Sequence, residues 1–446
     1  MKISWRWLVG AVLLLVGLAA AAVPVISGIQ AERVFKEQVA LMDASLNAEL
    51  GPGARAAVST YDRGLYRTDT QTRIELPAEL LPRSWRRSME LPDGPVVFML
   101  DQQLRHGLGR INFDGYLRPE GVTEALLNRL GGGAESIRLQ GAMGVGEQSV
   151  TLETDRLSGL IDPLQAITLT LEPLVFVATY RDADAALTTD LDWPGAVIRS
   201  EREEAELRAE GIQSAMTGRL VAGSLFDGVW VGDSELTVDS LSARQPGVQP
   251  ASVSDVKLLG RSGVDEREKL TGEVELTWQD LSLPDVPTTR GELGVRVAGF
   301  DPEAMLAFSR LAQTMNEADI ESFAGQAAIA DLLADGATLS MPVLRVESVA
   351  GQGFGGSANL LVQPQFADQL RAGVTGMPLL RSIEMEAEGG IDAALIDVLP
   401  AEQQLWARQL EGFGLLRRED DQLRARMNLS GGVLSVNGLT WWDISR

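Results

Sequence analysis

Apolar and polar positions alternate in steps of two through long stretches of this chain. From Leu65 to Leu76, the side chains of Tyr66, Thr68, Thr70, Thr72, Ile74 and Leu76 fall on one side. Arg67, Asp69, Gln71, Arg73 and Glu75 fall on the other, which is the period of a strand with one face toward a core. The same reading covers Pro95–Leu100, Arg110–Leu117, Ser149–Glu153, Ile167–Tyr180, Glu273–Leu283 and Glu292–Val297. Near the end, Leu423, Ala425, Met427 and Leu429 alternate with Gln422, Arg424, Arg426 and Asn428. Gly, Asn-Gly and Asp-Gly steps separate these runs, as hairpins require. The expected fold is mainly β within the α+β class: an elongated, curved antiparallel sheet with a few packed helices.

A helical period shows in three places. Asp301-Pro302-Glu303 combines an N-cap, a first-turn proline and a first-turn acid, and opens a helix through about Met315. A second helix is expected from Glu317 to Asp335, with Ile320, Phe323, Ile329 and Leu332 apolar and Gly336 as its stop. A shorter one is expected over Ala401–Leu410. The segment Ser242–Ser252, rich in Pro, Gly, Gln and Ser, is the best candidate for a linker or long loop and for a subdivision of the body. The charged run Glu201–Glu210 suits a solvated helix or loop.

The N-terminus breaks both periods. No charged residue occurs from Trp7 to Ile29, a length that crosses a hydrocarbon core as a helix. Lys2 and Arg6 precede it, which orients the N-terminus toward the cytoplasm, and Trp5 and Trp7 stand at the interfacial position. A cleaved signal peptide is the competing reading, with Leu8–Leu18 as its apolar core and Ala20–Ala22 near the cleavage site. The apolar run continues to Ile29, and so an anchor over residues 1–29 is expected. Residues 30–51 then form an amphipathic stalk or packing helix with Phe35, Val39, Met42, Leu46 and Leu50 on one side, stopped by Gly51-Pro52-Gly53. Residues 52–446 form the exported body. The expected location is the bacterial inner membrane, single-pass, with the body in the periplasm.

Composition narrows the chemistry. The chain has 446 residues and a net charge of −23, and no carboxylate precedes Gln30. Such an acidic body is a poor match for nucleic acid, which selects clustered Lys and Arg. Cysteine is absent, removing thiolate catalysis and Cys-based metal sites, and His106 is the single histidine. Gly351-Gln352-Gly353-Phe354-Gly355-Gly356 matches a dinucleotide fingerprint in letters only. Strand-like residues flank it on both sides, where the fingerprint needs a helix to follow, and a glycine hairpin fits better. Asp182-Ala183-Asp184 opens like a calcium loop, but Ala186 and Leu187 stand where a ligand and a glycine belong. No catalytic residue, cofactor or metal site is expected.

Three stretches resemble the bacterial YdgA-like family, domain of unknown function 945. Tyr61-Asp62-Arg63-Gly64-Leu65-Tyr66 is similar to the family's Y-x-R-G signature, with Arg67-Thr68 where two small hydroxylated residues are usual. His106-Gly107 is similar to its His-Gly-Pro, with Leu108 replacing the proline. The Asp301-Pro302-Glu303-Ala304 helix and the ending Gly431 to Gly438, which includes Asn437-Gly438, resemble the family's later signatures. The resemblance implies a single-pass inner-membrane protein with a large periplasmic part and no agreed activity. A looser resemblance to AsmA-like envelope proteins implies a curved sheet that offers an apolar groove to lipid. From the residues alone, Tyr61, Arg63 and Gly64 read as a tight turn between strands.

The leading expectation is therefore a non-enzymatic envelope protein that binds a lipid or another apolar ligand along a sheet groove. A scaffold acting through a sheet edge or as a homo-oligomer is the alternative, and a carboxylate-dependent hydrolase comes last.

Overall fold

The computed structural model describes residues 35–443 apart from residues 37, 38, 41, 45, 48, 49, 52, 64–66, 81–85, 87–93, 107–109, 145, 164, 224–227, 285, 315–321 and 398–400. The apolar stretch Trp7–Ile29, together with Gly64 and Gly107, lies outside them. No described helix is long and apolar enough to cross a membrane. The chain divides into two compact units. One comprises Met1–Leu220, Ser224–Phe226 and Leu236–Ala251, the other Val221–Gly223, Asp227–Glu235 and Ser252–Arg446.

The first unit holds β1 (Arg55–Arg63), β2 (Arg67–Leu76), β3 (Val96–His106), β4 (Arg110–Gly121), β5 (Ile137–Gly144) and β6 (Glu147–Thr154). It continues with β7 (Leu157–Asp162), β8 (Ile167–Leu171), β9 (Val175–Arg181), β10 (Ala186–Ser200) and β11 (Ala205–Ala222). Successive strands pair antiparallel from β1 to β6, β9 pairs β6, and β10 then pairs β9, β8 and β11. One register line runs Tyr61, Thr70, Gln102, Gly115, Leu139, Leu152, Phe176 and Leu191 across eight strands. Side chains on such a line share a face, and this line enters the core, where Leu100, Leu139, Val150 and Phe176 are almost wholly buried.

The described positions between 35 and 50 are helical. Phe35, Val39 and Met42 are buried in the same core, and the Phe35 ring lies 5.6 Å from that of Tyr61. Asp43 Oδ1 accepts the backbone N–H of Ala56 on β1 at 2.7 Å. Apolar residues at helical spacing therefore pack against the sheet, and these positions belong to the first unit's core rather than to a free stalk. The helix Val122–Arg129 covers a smaller cluster with Leu157, Ile161 and Leu169.

The strands β12 (Val229–Gln245) and β13 (Val248–Val264) contain residues of both units. Only Pro246 and Gly247 separate them, with Gly247 at φ 76, which suits a tight turn. The expected linker over 242–252 is thus a hairpin. The expected helix or loop at 201–210 is a short turn followed by β11, with Arg208 bonding Glu206 and Glu210 along the strand. Ile167–Tyr180 is two strands, because residues 172–174, including Pro173, break the ladder between β8 and β9.

The second unit continues with β14 (Leu270–Leu283), β15 (Val286–Phe300), β16 (Ala337–Ser348), β17 (Gly353–Val362) and β18 (Ile383–Asp392). It ends with β19 (Arg417–Glu419), β20 (Gln422–Ser430), β21 (Val433–Val436) and β22 (Leu439–Asp443). Pairing is antiparallel in the order β13, β14, β15, β16, β17, β18, β20, β21, β22, with β19 also against β20. The helix Pro302–Thr314 starts where its cap predicts. The following helix spans Phe323–Leu332 with Ser322 as its cap, shorter than the expected Glu317–Asp335; residues 317–321 of that expectation lie outside the described residues. It packs Ala330 against Ala367 and Leu370 of the helix Pro364–Arg371. A helix over Ala401–Gly412 matches the third expectation.

One polar cluster ties these helices to the sheet. Asp301 accepts the N–H groups of Glu303 and Ala304 at 3.0 and 3.1 Å, and Lys269, immediately before β14, reaches Asp301 at 3.1 Å and Asp335 at 2.6 Å. The bond from Ala304, followed by that from Lys269, holds the Asp301 carboxyl below its ordinary range. Asp335 and then Asp301 raise the Lys269 ammonium above its own. A depressed carboxyl stabilises the fold above its unfolded pKa of about 4, and this contribution is lost as pH falls through the lower folded value. Asp301→Ala is expected to cost about 1 kcal/mol at pH 7. In urea melts the deficit should shrink below pH 4, and a deficit of equal size at pH 7 and pH 3 would refute the capping role.

Candidate functional site

The motif residues separate into two groups. Tyr61 lies half-buried on β1 opposite Thr70, and Arg63 is exposed opposite Thr68. His106 closes β3 opposite Ile111, two strands from β1 and four residues along from the Gln102 that shares Tyr61's register line. The register therefore keeps Tyr61 and His106 apart. Tyr61 acts as packing for the N-terminal helix.

Asn437 and Gly438 form the two-residue turn between β21 and β22, at φ 49 and φ 79. Two positive φ values are what a tight hairpin needs, and Asn and Gly adopt them most readily. The Asn437 side chain also works as a clamp. Its Oδ1 accepts the N–H of Arg426 at 2.9 Å, and its Nδ2 donates to the carbonyls of Gly414 and Leu415 at 3.0 and 3.1 Å. Its backbone N–H donates to the Arg426 carbonyl at 2.7 Å.

The second unit's sheet has two unlike faces, and both have features that sequence reasoning did not assign to residues. One register line runs Leu258, Leu276, Leu293, Leu344, Gly356, Gly389 and Ala425 from β13 to β20. A second on the same face runs Val297, Leu339, Leu360, Met385, Leu429, Leu434 and Trp442, and a third runs Trp278, Gly291, Val346, Phe354, Ile391 and Leu423. Leu423 and Leu429 are buried, yet Val274, Leu339 and Phe354 on this face are 45%, 46% and 42% exposed. Among the described residues, the Trp278 indole N–H on this face is buried with no hydrogen-bond partner. Within the second unit this is an apolar surface only half covered.

The opposite face is polar. Its register line Arg261, Glu273, Arg296, Ser340, Asn359, Glu386 and Asn428 contains an ion pair, Arg296 to Glu273 at 2.8 Å. The line two steps along the strands on the same face runs Lys257, Thr277, Glu292, Arg345, Gly355, Gly390 and Arg424. Glycine at 353, 355 and 390 leaves the strands bare, which opens a trough of about 740 Å³ walled by Arg345 and Glu347 on one side and Gln422, Arg424 and Arg426 on the other.

The glycines have a backbone reason too. A Cβ at Gly353 would sit 2.2 Å from the Val346 carbonyl oxygen, and one at Gly355 2.8 Å from that of Leu344. The GxGxxG letters thus mark the hairpin between β16 and β17, with strand on both sides. The sequence signal for the trough was there in two strand-borne pairs, Gly355-Gly356 and Gly389-Gly390. Asp182 and Asp184 lie in the turn between β9 and β10.

A family model described as a bacterial protein of unknown function, DUF945, matches residues 5–440. The chain belongs to that family. The match spans both units of this DUF945 member, and so it covers the clamp, the apolar face and the trough alike. An Ig-like virion protein of Serratia phage KSP90 is 24% identical over 203 residues, covering 43% of the DUF945 chain and 72% of the phage protein. No solved structure matches the chain.

Proposed function

We propose that this DUF945 member is a membrane-anchored, non-enzymatic envelope protein that holds a lipid or similar apolar molecule against the apolar face of β13–β20. The observation that carries this reading is the register of that face. Leucine, valine, methionine and phenylalanine recur line after line across it while Val274, Leu339 and Phe354 stay accessible. Apolar surface of this extent in contact with water favours a ligand or partner, because its removal from water is worth about 25 cal/mol per Å². The uncharged stretch Trp7–Ile29 supports the membrane anchor, and the orientation given by Lys2 and Arg6 supports a periplasmic body.

The test uses the full chain purified from membranes in mild detergent. Mass spectrometry is expected to find phospholipid bound to it, and brominated acyl chains are expected to quench Trp278. The quenching is read as the difference between the native chain and Trp278→Phe. Leu344→Glu, which puts a charge at the centre of the face, should reduce the bound lipid at least about fivefold, since burying an unpaired carboxylate is costly. Lipid content and quenching unchanged in Leu344→Glu would overturn the proposal.

A sheet-edge scaffold or homo-oligomer is the second reading. Among the described residues β22 pairs only with β21, and it exposes Leu439 and Trp441, 48% and 51% accessible. The phage relative's name, a virion protein, favours the same assembly reading. A concentration-dependent dimer abolished by a proline within β22 would support it, and a monomer at all concentrations would end it.

A further inference from the structure

We infer that the trough on the polar face of β16–β20 is a second binding site, for a phosphate-bearing ligand held by Arg345, Arg424 and Arg426 over the glycine floor. The argument begins with contrast among the arginines of one sheet face. Arg290 and Arg296 reach Glu347 and Glu273 at 2.9 and 2.8 Å, as settled ion pairs do. The three trough arginines reach carboxylates only at longer range: Arg345 to Glu347 at 3.8 Å, Arg424 to Glu419 at 3.5 Å, and Arg426 to Glu388 and Glu419 at 3.7 and 3.8 Å. Arg424 otherwise donates to the neutral amide oxygen of Gln422.

Three carboxylates line the trough as well, those of Glu347, Glu388 and Asp392. Glu347 holds Arg290, and Asp392 accepts the N–H of Gly353 at 2.7 Å and the Gln422 amide at 3.2 Å. Glu388 meets Arg426 at 3.7 Å, so among the described residues three guanidinium groups share the trough with one carboxylate that has no shorter bond. Guanidinium donors in a fixed fork match phosphate oxygens in pairs.

Geometry adds the second half of the argument. Arg345 and Arg424 stand on one register line with Gly355 and Gly390 between them. At about 4.8 Å per strand, they start some 14 Å apart and can lean inward over bare backbone from opposite walls. About 740 Å³ accommodates more than a free phosphate, in the range of small-molecule sites. The trough lies on the face opposite the apolar lines, so it is separate from the surface proposed above. Its ligand is a phosphate monoester or diester, supplied either by a soluble molecule or by a lipid headgroup.

Calorimetric titration of the full chain in detergent with pyrophosphate, glycerol phosphate, and short-chain phosphatidylglycerol or phosphatidylcholine tests the site and separates the two sources. Saturable binding of either soluble phosphate assigns a soluble ligand, and binding of short-chain phosphatidylglycerol alone assigns a headgroup. In either case Arg345→Gln and Arg424→Gln should each weaken binding about tenfold or more. Gly390→Val keeps every arginine but fills the floor; a Cβ there meets its nearest atom, Arg424 Cγ, at 3.4 Å, so the residue fits while the trough does not stay open. It should abolish binding, with folding checked by an unchanged melting curve. Arg296→Gln, on the same face outside the trough, should leave binding unchanged. Absence of binding to all four probes, or equal loss in Arg296→Gln and Arg424→Gln, would overturn the inference.

Discussion

Replacing Phe176 with alanine is expected to lower the stability of the first unit by about 3–5 kcal/mol, the range for truncating a buried aromatic ring. Phe176 is 1% exposed. It stands in register between Leu152 on β6 and Leu191 on β10, in a core that also holds Leu139 and Val150. Strands fixed by hydrogen bonds on both sides cannot close the space left by a ring, so the cavity penalty adds to the lost burial. The neighbouring Val175→Ala supplies the control, since Val175 is 39% exposed on the other face and its truncation should cost no more than about 0.5 kcal/mol. Urea melts of both variants give the comparison. A Phe176 deficit no larger than that of Val175 would mean that the core is not where the register places it.

Asn437→Ala should cost the second unit about 2–4 kcal/mol, from three side-chain hydrogen bonds and a residue held at φ 49. The two contributions separate experimentally. Asn437→Gly keeps the positive φ and loses only the bonds, so it should recover no more than about 1 kcal/mol of the alanine deficit. Asn437→Asp keeps the acceptor for the Arg426 N–H but turns a carboxylate oxygen toward the Gly414 and Leu415 carbonyls. It should therefore resemble alanine at pH 7. Thermal melts of the three variants check this, and full rescue by glycine would show that Asn437 serves the turn alone. The clamp role also gives a physical reason for an Asn-Gly step that sequence alone presents as turn chemistry.

What the sequence revealed and what it hid differ by range. Strand identity was visible because a period of two is local: β2, β4, β14 and β20 each show it within a dozen residues. Two eight-residue helices were not. Val122–Arg129 and Pro364–Arg371 have eight residues each, too few turns for a period to stand out beside strand patterns. The break between β8 and β9 was masked by apolar residues on both sides of Pro173. For the candidate site, the apolar alternation was legible, but the degree of exposure was not, since it depends on what packs from elsewhere in the chain. The trough is a property of four strands in register, with Arg345 and Arg424 brought onto one line from positions 79 residues apart. The Asn437 clamp likewise closes onto Gly414 and Leu415, more than twenty residues upstream.

The burial of Phe35, Val39 and Met42 in the first unit's core sets a mechanical limit on any attachment made through the N-terminus. Between Ile29, where the uncharged stretch ends, and Phe35 lie residues 30–34. A fully extended chain spans at most about 3.6 Å per residue, so this tether reaches roughly 20 Å. With Trp7–Ile29 embedded as proposed, the first unit would work on a short leash, within a distance less than the roughly 30 Å thickness of the hydrocarbon core. A pull on the N-terminus would then load the helix and β1 directly instead of being absorbed by slack.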